Sequence, residues 1–235
     1  DYPTIYPAGA QIFFRFFYVL AGNSVTAFKG FMVFFDSLTL LVLTALLRAY
    51  GLKASRIIVY AWNPLVIFEI AYSGHLEGLT VFLMVTALFL YASQKKIPAI
   101  IMLALATAVK LYPALLLAAF LNRGDRIKGI STFSATIMLL YLPFMGACAK
   151  ISGFLPVYLQ NPYESFNLGL KHLLMRLVPG LDYYLLSLMF IIAIVITGLV
   201  VLLKDKKELE VVRYSYILVA SLMILMPASL PPWYV

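Results

Sequence analysis

The sequence predicts an all-α fold, a polytopic bundle of transmembrane helices, and three observations predict it. Of the 235 residues, 63% are hydrophobic and 12% are charged, whereas soluble domains carry about 25% charged residues. The mean hydropathy is +0.96. The apolar residues gather into runs of about 20, the length that a helix needs to cross a bilayer. A soluble domain of this size could not bury so much apolar surface, so the bilayer must act as its solvent.

The apolar runs that meet the length for a crossing are separated by short polar gaps. They are residues 27–47, 57–73, 77–93, 129–148, 183–203 and 214–229. Residues 8–22 are shorter and carry Arg15 in their middle, so we predict an interfacial or half-inserted helix whose arginine reaches the lipid headgroups. No internal repeat is visible. We expect one transmembrane domain over 1–235, truncated at both ends, with 1–22 as an outer loop plus the interfacial helix.

Charge predicts how the chain is threaded, since short gaps rich in Lys and Arg mark the cytoplasmic side. These gaps are 48–56, 94–96, 122–128 and 204–213. For both gaps that flank 97–121 to lie inside, that tract must turn back. Pro113 lacks a backbone donor and disfavours helix at Tyr112, so we predict a hairpin with its tip near Lys110. Non-helical backbone at membrane depth is tolerated only against protein or a wet cavity, so the tip should line a cavity. One kinked span stays open as the alternative.

Several classes of function are disfavoured by what the sequence contains. The net charge of +8 comes from residues in the gaps and not from a basic stripe with interleaved aromatics, so no nucleic-acid partner is expected. Cys148 is the single cysteine, which excludes an internal disulfide and a CxxC metal site. Walker A, GxGxxG and HExxH motifs are missing, so nucleotide and zinc-protease chemistry is not indicated. We expect no cofactor and no metal site, with a divalent cation left open.

Ionisable residues inside spans are costly and are therefore candidates for function. Lys29 and Asp36 lie seven residues apart, which on a helix is about 700° of rotation and roughly 10 Å, so both point to one face. They form either a structural pair or part of a site lining. Glu69 stands near the outer end of its span, five residues after Pro64. It is either a surface residue that reaches the headgroups or a site residue.

The predicted outer turn and the hairpin tip carry further polar candidates. His75 and Glu77 stand in a Gly-His-x-Glu-Gly turn, where a carboxylate beside an imidazole can act as base, bind metal or hold sugar hydroxyls. The alternative is a polar turn that begins a helix, where Glu77 suits the helix dipole. Lys110 needs an anionic partner, either a lipid phosphate with Tyr112 adding a hydroxyl or a carboxylate of Asp36 or Glu69.

The remaining candidates lie on the predicted outer side. The connection 149–182 is read as an outer loop, and its Glu164, Asn167 and His172 can bind hydroxyl-rich ligands. Trp233 and Tyr234 fit an aromatic belt at the membrane boundary, with stacking on a sugar face as the second interpretation.

Six segments, in this order, resemble a known family. They are Asp1-Tyr2-Pro3-Thr4-Ile5-Tyr6-Pro7, Lys29 with Asp36, Tyr60-Ala61-Trp62-Asn63-Pro64-Leu65, Ser73-Gly74-His75-Leu76-Glu77-Gly78, Val109-Lys110-Leu111-Tyr112-Pro113 and Pro231-Pro232-Trp233-Tyr234. The set resembles the bacterial polyprenol-phosphate-dependent mannosyltransferases of the GT-C superfamily. The family more often has Asp where Glu77 stands and a second Pro where Ala8 stands.

The resemblance implies a multi-pass enzyme of the cytoplasmic membrane. It would transfer a hexose, with mannose expected, from a polyprenyl-phosphate sugar to a glycan or glycolipid acceptor, on the extracytoplasmic face and with inversion. The catalytic residue is then unassigned, because the resemblance implies an acidic base in an outer loop upstream of Asp1. The expected substrate-binding residues are Lys29, Asp36, Glu69, His75, Glu77, Lys110, Tyr112, Asn167, Trp233 and Tyr234. A transporter or flippase for a lipid-linked sugar is the alternative, and a non-catalytic membrane subunit is the second one.

Overall fold

A computed structural model describes residues 4–153 and 169–225, and over these ranges the chain is all-α with no strand. This confirms the predicted fold class. The α-helices are α1 (Ala8–Ala21), α2 (Val25–Ala49), α3 (Ile58–Ala61), α4 (Pro64–Val66), α5 (Glu77–Ala92), α6 (Lys96–Val109), α7 (Leu117–Phe120), α8 (Arg126–Tyr141), α9 (Gly169–Leu177), α10 (Tyr183–Leu203) and α11 (Glu210–Leu225). Short 3-10 segments cover Ala54–Ile57, Tyr112–Leu116 and Leu142–Ser152, and a π-helical turn covers Ile67–Tyr72.

Among the residues that the structure describes, helices long and apolar enough to cross a membrane are present at three of the six predicted positions. These are α2, the stretch Arg126–Ala147 that continues α8, and α10. The bounds of α10 coincide with the predicted span 183–203. Residues 226–229 of the last predicted span, and 154–168 of the predicted outer loop, lie outside the described residues.

The predicted span 57–73 is not one straight helix but a bent pair of helical segments. The chain bends by 55° between Ala61 and Pro64. Pro64 cannot donate a backbone hydrogen bond. The backbone of Asn63 is extended, and its side-chain oxygen accepts a hydrogen bond from the Leu65 amide at 3.0 Å. A new helix therefore begins at Pro64 and widens into the π-helical turn.

The centre of the bundle is the antiparallel pair α5 and α6, which α2 and α8 flank. One core cluster joins Tyr91 of α5 and Leu103 of α6 to Phe120 and to Leu218 of α11. A second cluster lies towards the other end of the pair and contains Met32, Ile70, Leu79 and Val109, with phenylalanine rings of α1 and α2 packed against it. Because these buried layers fix α5 and α6 against α2, they also fix the ends of those helices.

The tract 97–121 turns back on itself. Helix α6 ends at Val109, Lys110 is extended (φ −141°, ψ 143°), and the chain returns through the 3-10 segment and α7. The Lys96 ammonium binds the Asp125 carboxylate at 2.7 Å, so the two flanks of the tract meet. This is the geometry of a hairpin, while its depth in a bilayer stays a prediction.

The four basic gaps lie together at one end of the bundle, which we call the basic end. The Tyr50 hydroxyl donates to the Leu209 carbonyl, and the Asn122 side chain bonds the Lys206 backbone at 2.8 and 3.0 Å. The Lys206 ammonium donates to the carbonyls of Ala118 and Val201 at 2.8 and 2.9 Å. Its burial, with help from the nearby Arg126 charge, lowers the pKa of Lys206 to about 8. The contacts tie the hairpin flanks to the α10–α11 connection.

Candidate functional site

The polar residues singled out within the spans lie on neighbouring segments at the end of the α5–α6 pair opposite the basic end. Helix α5 begins there with Glu77, and α6 ends there before Lys110. The π-helical turn contributes Glu69, and α2 contributes Lys29 and Asp36. The structure therefore brings together residues from four separate stretches of sequence, in pairs described below.

The most buried pair is formed by Lys110 and Glu77. The Lys110 ammonium contacts the Glu77 carboxylate through Oε1, and the two side chains are 10% and 9% exposed. A negative charge at the first turn of α5 and a positive charge just past α6 both suit the helix dipoles. The predicted partners of Lys110 were a lipid phosphate, Asp36 or Glu69, and Glu77 was not among them. Among the residues that the structure describes, the second Glu77 oxygen, Oε2, has no hydrogen-bond partner.

The second pair joins the π-helical turn to the loop that follows it. Nε2 of His75 lies 3.0 Å from Oε2 of Glu69, and the His75 amide donates to the Glu69 carbonyl at 3.0 Å. The Glu69 residue is 9% exposed. The interpretation of Glu69 as a surface residue that reaches the headgroups is therefore wrong, because the wider π-helical turn directs the carboxylate towards His75.

The face of α2 that carries Lys29 and Asp36 points at the bent segment. The Lys29 ammonium lies 5.2 Å from the centroid of the Tyr72 ring. The Asp36 carboxylate accepts from the Tyr60 hydroxyl at 2.7 Å. The polar groups of α2 and of the bent segment thus face one another. Tyr112 stands at the start of the return limb of the hairpin.

Two glycines explain the spacing of the turn at 73–78, between the π-helical turn and α5. Gly74 has φ +74°, a conformation that costs glycine little and other residues more. A Cβ added to Gly78 would lie 2.9 Å from the Met32 carbonyl oxygen, so the close approach of α5 to α2 needs a glycine. Sequence reasoning treated these glycines only as part of a motif. Their place on both sides of His75 and Glu77 was the signal that the turn is held tightly.

An apolar cavity of about 310 Å³ lies between α1, α5, α6 and α8. Leu79 and Val109 line it, and they stand two positions after Glu77 and one before Lys110. Sequence reasoning missed this cavity and also missed Gly9, whose added Cβ would meet the Ala108 carbonyl oxygen at 2.7 Å. The small residues Ala8-Gly9-Ala10 were the available signal. The lining is Gly9, Ile12, Phe13, Phe16, Leu79, Leu83, Leu105, Val109 and Leu140.

The remaining predicted site residues are not placed by the structure. Asn167, Trp233 and Tyr234 lie outside the described residues, as does Glu164. His172 belongs to α9, but its side chain is not described. Within 4–153 and 169–225, no group of three or more His, Cys, Asp and Glu residues is arranged to hold a metal ion.

Comparison with protein families decides the class of the chain. The family model that describes the sequences of glycosyltransferase family 87 matches residues 4–227 of the chain. The chain belongs to glycosyltransferase family 87. No curated protein and no solved structure matches it. Membership of this family, together with the apolar helices, makes the chain a membrane glycosyltransferase. The resemblance seen in the sequence is confirmed at that level, and an enzyme is favoured over a transporter or a non-catalytic subunit.

In this family 87 glycosyltransferase, the paired residues offer distinct kinds of contact. Lys110 supplies a buried cation that an anionic leaving group needs. Oε2 of Glu77 and the Glu69–His75 pair supply acceptors and donors for hydroxyl groups. The cavity supplies an apolar wall, to which Val109 contributes directly before Lys110 in the sequence. A sugar donor with both an anionic and a hydrocarbon part would use all three.

Proposed function

We propose that this glycosyltransferase transfers a hexose, mannose in the first instance, from a polyprenyl-phosphate sugar to a glycan or glycolipid acceptor on the extracytoplasmic face. The observation that carries the proposal is the position of Lys110, a buried cation at the tip of a hairpin, directly after Val109, which lines an apolar cavity. A water-soluble nucleotide sugar has no use for the apolar wall. A lipid-linked donor needs both the cation and the wall.

The cavity and the cation suit the two ends of such a donor. An apolar lining can take part of an isoprenoid chain, and its residues Leu79 and Val109 are close in sequence to Glu77 and Lys110. A chain held there would bring its phosphate to the hairpin tip. Tyr112, just past Lys110, would add a hydroxyl donor to that phosphate.

The proposed reaction is an in-line displacement. A carboxylate of an outer loop takes the proton of the acceptor hydroxyl, whose oxygen attacks the anomeric carbon. The bond from that carbon to the phosphate oxygen breaks, and polyprenyl phosphate leaves with the electron pair. Lys110 and Tyr112 stabilise the charge that develops on the leaving phosphate. His75 and Glu77 contact hydroxyls of the sugar or of the acceptor. A single displacement inverts the anomeric carbon.

A transfer assay with the purified full-length protein tests the function. We expect labelled mannose to pass from polyprenyl-phosphate mannose to a glycolipid acceptor, with release of free polyprenyl phosphate. The same assay with polyprenyl-phosphate glucose tests the choice of sugar. Movement of intact donor across liposomes without chemistry would instead favour a flippase. Activity that appears only with a second membrane protein would favour a subunit.

The side on which the site lies follows from the charges, since the basic end carries the gaps that mark the cytoplasm. We expect Asn23→Cys, in the loop between α1 and α2, to react with an impermeant thiol reagent in intact cells. Arg123→Cys, at the basic end and with its side chain 71% exposed, should react only after permeabilisation. Both variants carry Cys148→Ser. Labelling of Arg123→Cys from outside would overturn the proposed orientation.

A further inference from the structure

We propose that Glu77 is the exchangeable counter-ion of Lys110: it holds the cation in the empty site and yields it to the phosphate of the donor. The inference rests on the proposed function and concerns how that site is loaded. It assigns Glu77 a role in positioning, in addition to any contact with a sugar hydroxyl. The argument comes from how the pair is built and from its charge.

The Glu77 carboxylate of this pair is incompletely satisfied, which the carboxylate of a permanent buried pair should not be. A buried ion pair is stable only when further hydrogen bonds occupy the remaining oxygens and protons. Only Oε1 of Glu77 contacts Lys110, while Oε2 is buried and has no hydrogen-bond partner within the described part of the chain. That oxygen is costly to leave unpaired, so the carboxylate gains from a new donor.

The Lys96–Asp125 pair at the basic end shows the opposite case. One Asp125 oxygen binds Lys96 at 2.7 Å, and the other accepts from the Asn122 amide at 3.1 Å. Both oxygens are thus used, and the pair ties the two flanks of the hairpin. Both carboxylate oxygens are therefore hydrogen-bonded in the Lys96–Asp125 pair, whereas one carboxylate oxygen of the Lys110–Glu77 pair is not.

Charge makes exchange the favourable way to load the site. The Lys110–Glu77 pair is neutral, and a sugar phosphodiester brings one negative charge. If Glu77 kept its place, two anions would share one cation in an apolar setting, where like charges repel strongly. Turning the Glu77 side chain away lets the phosphate take the place of the carboxylate beside Lys110. The first turn of α5 continues to stabilise the released carboxylate, which can then accept from a sugar hydroxyl.

The test is equilibrium binding of a fluorescent polyprenyl monophosphate to the full-length protein in nanodiscs. Glu77→Gln removes the competing charge, so we expect it to lower the Kd about tenfold. Lys110→Gln should abolish binding. Asp125→Asn, which opens the other Lys–carboxylate pair, should leave the Kd unchanged. Neutral polyprenol serves as the probe for the chain alone and should bind the wild type and Glu77→Gln equally.

Unchanged or weaker binding by a folded Glu77→Gln variant would overturn the inference, because a fixed structural pair predicts that result. Should that variant fail to fold, Glu77→Asp keeps the charge and shortens the reach, so it should tighten binding to a smaller extent; no gain there would also overturn it. If the wild type transfers sugar but Glu77→Gln does not bind polyprenyl monophosphate more tightly, only this inference is wrong. If Glu77→Gln binds more tightly but the wild type transfers no sugar, only the proposed function is wrong.

Discussion

Lys110→Ala is expected to lower kcat/KM for sugar transfer about a thousandfold, the scale seen when a preorganised electrostatic contact to the transition state is removed. Lys110 stands at the hairpin tip with its side chain 10% exposed. In these apolar surroundings a cation stabilises the developing phosphate charge far more than it would in water. The measurement is transfer of labelled mannose from the lipid donor, with initial rates taken over a range of donor concentrations.

The control for this variant is Lys96→Ala, which removes the lysine of the other Lys–carboxylate pair at the basic end. It should keep near wild-type activity if it folds. Since Lys110→Ala leaves Glu77 buried without its cation, Lys110→Met combined with Glu77→Gln separates loss of the charge from misfolding. Normal transfer by either Lys110 variant would refute the assignment of this residue to the phosphate.

Gly78→Ala is expected to destabilise the protein by about 2 kcal/mol, the cost of forcing a methyl group into a packed contact. The added Cβ would lie 2.9 Å from the Met32 carbonyl oxygen. Backbone cannot move aside as the end of a flexible side chain can, so α5 must shift away from α2. Because Glu77 is the preceding residue, the shift should also lower sugar transfer. Thermal unfolding in detergent, followed by the transfer assay, measures both effects.

Gly198→Ala is the matched control within the spanning helix α10. Its added Cβ would meet only Leu115 Cδ1, at 3.9 Å, which is an ordinary contact. Alanine favours helix over glycine by up to about 1 kcal/mol, so this variant should be neutral or slightly more stable. Equal losses from the two substitutions would show that the α2–α5 contact is looser than described.

The spans that the sequence predicted correctly have apolar runs long enough to cross a bilayer. Helix α10 is the clearest case, since 183–203 contains no charge and both ends are marked by polar residues. The bent segment was missed because its apolar pattern continues on both sides of Asn63 and Pro64. Hydropathy does not register the direction of the chain, and no residue in Ile67–Tyr72 marks a π-helical turn.

The hairpin was found from charge and not from hydropathy. Two basic gaps on one side required the intervening tract to return, and Pro113 located the break. The pairing of Lys110 with Glu77 was not predicted, although the similar lengths of α5 and α6 imply it. From their shared turn at 93–95, α5 extends for 16 residues and α6 for 14, so their far ends reach about the same height. The apolar cavity was missed because its lining residues resemble core residues, and only the small residues Ala8-Gly9-Ala10 hinted at a close approach there.

The shortness of α5 has a consequence for the membrane around the site. Its 16 residues measure about 24 Å at 1.5 Å per residue, against a hydrocarbon core of about 30 Å. Such hydrophobic mismatch is relieved when the surrounding lipids thin. Where α5 crosses the bilayer, a locally thinned leaflet would bring headgroups closer to the proposed phosphate site at Lys110. For a donor of the proposed lipid-phosphate class, the short helix would shorten the path from the headgroup layer to that site.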